Sequence, residues 1–337
     1  MPPQHFRRAL FVRLDRIGDL VLSLPTDASL TINEVDWWIP KGLSFVTDTA
    51  QPGRRGREFG QHLKFDEVID LVRIVRKNRY DLAVVFHAPW WASFVLWAAR
   101  VPVRIGVLSQ WHSFLFFNRG VRQKRSLAEA SELEYNFRLL ESGLDLKPGT
   151  LKRQTLKLHA KSGRPALAPE GDFYVVHPGM SGSALNWSTE RYATLISQLS
   201  LEHPVIITGT ASDETFLAPL RTKLPESQKV IWLDRKLSGT ELVGLLQNAK
   251  AVIAPSTGVL HLAASTGVPT LGLFSQIRAQ RAVRWGPMGD RTAVVEPPQE
   301  CPGDSACQGM TCARENCMDL ITVESVIGRL RILVSNA

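Results

Sequence analysis

The sequence has no apolar run of 18 or more among its 337 residues, so no transmembrane helix is expected. Its opening, MPPQHFRRALFVRLDRIGD, has arginines but no uninterrupted apolar segment ahead of Asp15. A secretory signal is therefore not expected. Cysteine is scarce and confined, all four lying between 301 and 317. With none spread through the cores, a secreted disulfide framework fits poorly. The GxGxxG dinucleotide fingerprint is missing. So are RNA-binding motifs, helix-turn-helix signatures and zinc-finger spacings, and nucleic acid is not an expected partner. Acid is nearly absent from one stretch: residues 73–125 hold ten Lys or Arg and one acid, Asp81.

What is present is an ordinary soluble composition, 44% hydrophobic and 21% charged, in a chain whose length favours two domains over one. The formal net charge of +8 suits an anionic partner such as a nucleotide, a phosphorylated lipid or a membrane surface. The basic stretch 73–125 also carries Trp90, Trp91, Phe94, Trp97, Trp111, Phe114, Phe116 and Phe117. Basic side chains among large aromatics suit the interface of an anionic membrane. The alternative is that most of these rings are core and the charges scatter.

Residues 251–274, AVIAPSTGVLHLAASTGVPTLGLF, show the chain's organisation most clearly. Residues 251–254 read as a buried strand. Ser256, Thr257 and Gly258 form a polar turn, a helix pattern runs to Ser265, and 270–274 is the next strand. The turn lies beyond the carboxyl end of a strand, where open α/β sheets bind ligands, and a helix N-terminus there suits a phosphate. His261 could face the same crevice; the alternative is Ser256 as N-cap and His261 as a packed side chain.

The same unit recurs. Residues 9–14 read as a first strand, 15–19 as its exit turn, and 20–30 as a helix that Pro25 should kink or end. Asp19 would sit near that helix's N-terminus, which favours the ionised form. In a cleft beside an acceptor hydroxyl it could act as a general base; the alternative is a capping carboxylate. Strands are expected at 35–39 and 82–86, and helices at 67–77 and 126–140. Residues 48–62, with Arg54, Arg55 and Arg57 among Pro52, Gly53 and Gly56, read as a solvated or mobile loop. Proline and glycine concentrate in 147–172, with a short β-like run at 154–159. A boundary belongs there, giving domains 1–160 and 161–337. Beyond it, 172–176 is a strand followed by HPGMSGSALNW, whose Gly179, Ser181, Gly182 and Ser183 could wrap a phosphate with backbone amides. Strands at 204–209 and 230–233 and a helix at 242–249 complete βαβ after βαβ, hence a parallel sheet covered by helices. Two such halves imply a cleft between domains.

RLDRIGDLVLSLP at 13–25, HPGMSGSALNW at 177–187, STGVLHLAASTGVPTLGLF at 256–274, and RWGPMGD with the cysteines at 284–317 follow in order. In these marks the chain resembles the ADP-heptose heptosyltransferases, the glycosyltransferases that add heptose to lipopolysaccharide inner core (glycosyltransferase family 9). The resemblance implies an α/β GT-B fold, two facing Rossmann-like domains with parallel sheets. It puts the acceptor on the N-terminal domain and the nucleotide-sugar donor on the C-terminal one, with the last helix returning to the N-terminal domain as one option. It implies an inverting, metal-independent transfer with Asp19 as base, and donor contacts at Gly179, Met180, Ser256, Thr257, Gly258 and His261. No cofactor is implied; ADP-heptose is the donor and a lipid A-core oligosaccharide the acceptor. The enzyme would work as a cytoplasmic protein, peripheral on the inner face of the inner membrane. Two positions depart from the family pattern. Leu185 stands where many members carry Lys or Arg to neutralise the leaving diphosphate; either Arg16, Arg281 or Arg284 supplies the charge, or turnover is weak. Ser256 stands where some members have Asp. The alternatives are a related enzyme with another nucleotide sugar or acceptor, and a non-catalytic binding protein.

Cys301, Cys307, Cys312 and Cys317 are spaced C-x5-C-x4-C-x4-C. That is looser than the paired C-x2–4-C spacing of structural zinc sites. No metal is the expectation; a structural zinc or disulfides remain the alternatives.

Overall fold

The computed structural model describes residues 5–180, 182, 184–224, 229–298 and 317–335. Contacts divide the chain into two compact units, 1–125 with 132–156, and 126–131 with 157–337.

The first unit opens with β1 (His5–Arg13), α1 (Ile17–Ser23), β2 (Thr31–Pro40), α2 (Ser44–Thr49), β3 (Arg55–Phe59) and α3 (Phe65–Asn78). It continues with β4 (Leu82–His87), α4 (Trp90–Ala98), β5 (Val103–Val107), α5 (Trp111–Phe116), β6 (Arg119–Val121) and α6 (Glu132–Gly143). The strands lie in the order β3-β2-β1-β4-β5-β6, and every pair is parallel. β1 is central and buried from Ala9 onward, as its continuous apolar run requires. On one face Phe11, Trp37 and Phe86 stack, Phe11 to Trp37 at 5.0 Å and Trp37 to Phe86 at 6.1 Å. On the other, Leu10, Val12 and Val85 meet α3 through Val68, Leu71 and Val75, and α4 through Val95 and Leu96. Spacings of three and four put Val68, Leu71 and Val75 on one face of α3. Burying each is worth about 1.5–3 kcal/mol.

The second unit contains β7 (Tyr174–Val176), α7 (Thr189–Glu202), β8 (Val205–Ile207), α8 (Glu214–Lys223), β9 (Val230–Trp232) and α9 (Gly239–Gln247). After these come β10 (Ala251–Pro255), α10 (Gly258–Thr266), β11 (Thr270–Leu273), α11 (Ala282–Trp285), β12 (Thr292–Val295) and α12 (Val323–Ser335). Its order, β12-β11-β10-β7-β8-β9, repeats that of the first sheet strand for strand, again all parallel. This is the doubly wound Rossmann order, whose switch point falls between the first and fourth strands. The expected α/β class of two Rossmann-like, parallel-sheet units is thus what the chain has. The last helix, α12, packs into the core of the second unit through Val323, Val326, Ile327 and Leu330.

Several elements differ from the sequence reading. The basic stretch 48–62 is not all loop: Arg55–Phe59 pairs with β2 as the edge strand β3. An edge strand needs few buried side chains and tolerates charge, so RGREF carries no apolar alternation. The β-like run 154–159 forms no ladder beyond a single bridge at Leu158, whose amide reaches the Ser265 carbonyl at 2.8 Å. α6 begins at Glu132, six residues later than the helix pattern suggested. Pro25 does end the first helix: α1 stops at Ser23 and a 3-10 turn, Leu24–Ser29, takes over.

Candidate active site

At the first switch point β1 and β4 part, their last link being the Leu14 amide on the His87 carbonyl at 2.9 Å. β1 ends on Arg13, which is buried. A buried guanidinium must be paired, and three carboxylates surround this one. Nε donates to Asp15 at 2.7 Å, Nη1 to Glu132 at 3.2 Å, and Nη2 to Asp19. Glu132, the first residue of α6, also accepts from Arg125. Asp19 lies in the first turn of α1 and is itself buried. Burial pushes its carboxyl up to about 7; Arg13 opposes, and the neighbouring charges of Asp15 and Glu132 add to the rise. A base of that strength is matched to proton transfer near neutral pH. Arg16 is exposed at the N-cap position of α1 and gives it no side-chain cap.

At the second switch point β7 and β10 run side by side, Val176 opposite Ile253. The loop after β7 and the N-terminus of α10 therefore leave from neighbouring strand ends. In the β7 loop, Asn186 closes the turn by donating to the Pro178 carbonyl at 2.7 Å. Gly179 leaves no room for a side chain unless Asp213 shifts: a Cβ would lie 2.2 Å from Asp213 Cγ. Asp213 is buried and accepts from the Thr210 amide and hydroxyl at 2.8 and 2.7 Å. His177 is buried with Nδ1 3.0 Å from Thr208 Oγ1, and burial lowers its pKa to about 4 against the pull of Asp213. Met180 is buried, Gly182 is exposed with φ +71°, and Ser181 and Ser183 lie outside the described residues.

α10 begins at Gly258 with Thr257, not Ser256, at its N-cap position, and Thr257 makes no side-chain cap. The correction has a local cause: Pro255 still belongs to β10, which leaves Ser256 one residue too early. The amides at this end thus keep their capacity for an anion. His261, one turn in, is buried, and burial lowers its pKa to about 4. Among the described residues its Nδ1 has no hydrogen-bond partner. A neutral imidazole with a buried, unpartnered nitrogen is an unusual cost in a folded chain, and a ligand atom would relieve it.

Leu185, where the resemblance implies a cation, packs its side chain against the unit's apolar core. Its amide donates to Gln280 Oε1 at 2.9 Å, and Gln280 also accepts from Ser275 Oγ at 3.1 Å. One side chain thus ties the loop after β11 to the loop after β7. The next residue, Arg281, is the N-cap of α11 and reaches the Gln276 carbonyl at 3.2 Å. Arg284 lies 4.6 Å from the centre of the Trp285 ring.

Asp19 and Arg16 belong to the first unit, and Gly179, Met180, Ser256, Thr257, Gly258, His261, Arg281 and Arg284 to the second. Sequence reasoning missed Arg13, Glu132, Thr208, Asp213 and Gln280. Arg13 opens the quoted 13–25 motif and ends an apolar strand, which was a usable signal. Glu132 and Thr208 meet Arg13 and His177 across long stretches of sequence, while Asp213 and Gln280 have near partners in Thr210 and Ser275 but reach the β7 loop only in the fold. Cys317 opens a 3-10 turn, Cys317–Leu320, while Cys301, Cys307 and Cys312 lie outside the described residues. Among the described residues no group of three His, Cys, Asp or Glu could hold a metal ion.

Residues 68–318 match glycosyltransferase family 9 (heptosyltransferase). The chain is 26% identical over 356 residues to a Haemophilus influenzae protein provisionally named a glycosyltransferase, covering 98% of this chain and 97% of that one. Lipooligosaccharide heptosyltransferase 2 of the same organism is 25% identical over 235 residues, 65% of this chain and 66% of the relative. Among solved structures, the Escherichia coli ADP-heptose lipopolysaccharide heptosyltransferase II superposes with a TM-score of 0.78 at 19% identity, covering 98% of this chain and 99% of that one.

Proposed function

The chain belongs to glycosyltransferase family 9, the heptosyltransferases, and from that premise we propose that it moves heptose from ADP-heptose onto a lipopolysaccharide inner core, with inversion and without a metal. The observation that carries this reading is Asp19, a buried carboxylate at the sheet's switch point whose proton affinity sits near neutrality. In the reaction Asp19 takes the proton of the acceptor hydroxyl as its oxygen attacks the anomeric carbon. The bond from that carbon to the diphosphate breaks on the opposite face, and ADP departs. The second unit serves the donor. Amides at the start of α10, His261, and the Gly179–Met180 turn with Ser181 and Ser183 hold the diphosphate. Arg281 and Arg284, at the N-cap of and within the helix α11 that follows Gln280, stabilise its growing charge. One carboxylate suffices because the leaving group, so stabilised, needs no acid.

The acceptor is lipid-linked, and the enzyme works as a peripheral protein on the cytoplasmic face of the inner membrane. No helix among the described residues is long and apolar enough to cross a membrane. The test is a screen of ADP-, GDP- and UDP-sugars against core acceptors, with the product's anomeric configuration read by NMR. Transfer from ADP-heptose with inversion is expected. Transfer from another nucleotide sugar alone would reassign the donor, retention would remove Asp19 as base, and binding without turnover would make the chain a binding protein.

A further inference from the structure

Two short helices of the first unit turn large apolar side chains to water. On α4, Trp90 is 51% and Trp97 47% exposed; on α5, Trp111 is 72%, Phe114 52% and Leu115 63% exposed. Trp90, Phe94 and Trp97 fall at i, i+4 and i+7, and Trp111, Phe114 and Leu115 at i, i+3 and i+4, so each set occupies one helix face. Phe116 joins the helices, its ring 5.8 Å from Phe94 and 5.7 Å from Trp97; Phe94 in turn is 6.1 Å from Trp90. The α4 rings and Phe116 form one cluster, and the exposed Trp111, Phe114 and Leu115 lie on the same short helix as Phe116; exposed apolar side chains gathered on two adjoining helices mark an interaction surface.

Basic side chains accompany these helices. Arg76 reaches from α3 to the Ala98 carbonyl at 2.8 Å, and Arg122 lies 5.5 Å from the centre of the Phe114 ring. Arg100 and Lys124 are exposed. The stretch's one acid, Asp81, precedes β4 and accepts the Arg7 and Arg8 amides at 2.8 and 3.1 Å. α4 and α5 follow β4 and β5, so Trp90 and Trp111 stand at the carboxyl edge of the sheet, the edge that carries Asp19.

We propose that α4 and α5 form a bilayer-insertion surface, the rings entering the interfacial layer of an anionic leaflet while the arginines meet lipid phosphates. Indole and phenyl rings favour that layer, and each basic side chain adds attraction to it. The proposal deepens the reading above and rests on its lipid-linked acceptor, whose sugars would then be presented along the edge that holds the base.

Flotation with vesicles of phosphatidylcholine alone, or with about one-third phosphatidylglycerol, tests it. The full chain should float with the anionic vesicles, only weakly with the neutral ones, and be released by salt. Brominated lipid should quench its tryptophan emission. The double variant Trp111→Ser/Phe114→Ser should lose binding about ten-fold, with an unchanged circular dichroism spectrum and unchanged transfer to a de-acylated, soluble acceptor. Equal flotation of variant and wild type, or no preference for anionic lipid, overturns the surface. So does a solution dimer that the same substitutions dissociate, since the rings would then belong to a second copy. Flotation as expected with no transfer to any acceptor would sink the proposed function and leave the surface standing.

Discussion

The Arg13 guanidinium lies against the Asp19 carboxylate, both out of water, with Asp15 and Glu132 on the same cation. The charges of Asp15 and Glu132 repel that of Asp19, while Glu132 has a second cation in Arg125. The proton affinity of Asp19 rises, with burial as its largest cause.

Asp19→Asn should fold and lose turnover by about 100-fold or more, the scale of general-base catalysis, while ADP affinity by calorimetry stays as in the wild type. Near-normal turnover would remove Asp19 from the chemistry. The thermal midpoint carries a second signature. Because the folded pKa is raised above its unfolded value, Asp19's contribution to stability is full below the unfolded pKa and is lost as pH rises through about 7. The stability of the Asn variant relative to wild type should therefore grow as pH rises toward 7.

The pH profile of kcat/KM should rise through about 7 and level off above it, since the base must be unprotonated. Arg13→Lys keeps the charge but not the three-way geometry, and should move that limb upward by about one unit, the scale of one neighbouring charge. A lowered plateau with an unmoved limb would mean Arg13 serves only the fold.

His261→Ala should weaken ADP about ten-fold, on the scale of one hydrogen bond to a charged group, ~1.5 kcal/mol. Because burial holds His261 neutral, with a pKa of about 4, its contribution should be the same at about pH 6 and pH 8. An unchanged dissociation constant would return it to a packed side chain.

Gly179→Ala should destabilise the chain by roughly 1–3 kcal/mol, as overpacking does, because its Cβ meets the Asp213 carboxyl group. Urea unfolding measures this, and wild-type stability with wild-type ADP affinity would show that the loop yields without cost.

Transfer should survive EDTA, since one base and cationic stabilisation of the diphosphate complete the proposed step. Loss of activity that magnesium or zinc restores would overturn the metal-independent mechanism.

How far the sequence revealed this site depended on whether partners were contiguous. Ser256 to His261 share one strand–turn–helix unit, and its apolar pattern places them at a strand's carboxyl end without other information. Asp19 was readable on the same ground. The role of Arg13 was not, because its partner Glu132 lies 119 residues away. β3 hid for another reason: an edge strand with a solvated face leaves RGREF looking like loop. The aromatics of 73–125 divided, Trp91 entering the core beside Trp38 and Phe59 while Trp90 and Trp97 on the same helix remain outside. Spacing could have sorted them only once α4 was known to be a helix.

The all-parallel pairing of both sheets also governs how the chain is made. β1 touches β4 only after about seventy residues have been synthesised, and β7 meets β10 across a similar span. Closing loops of that size costs entropy before any ladder repays it, so strand pairing cannot begin locally as it does in a hairpin. Folding should be slow, and each unfinished sheet should expose apolar strand edges while it waits. Yield in a cell should thus depend on synthesis rate, temperature and chaperone supply more steeply than the finished core would suggest.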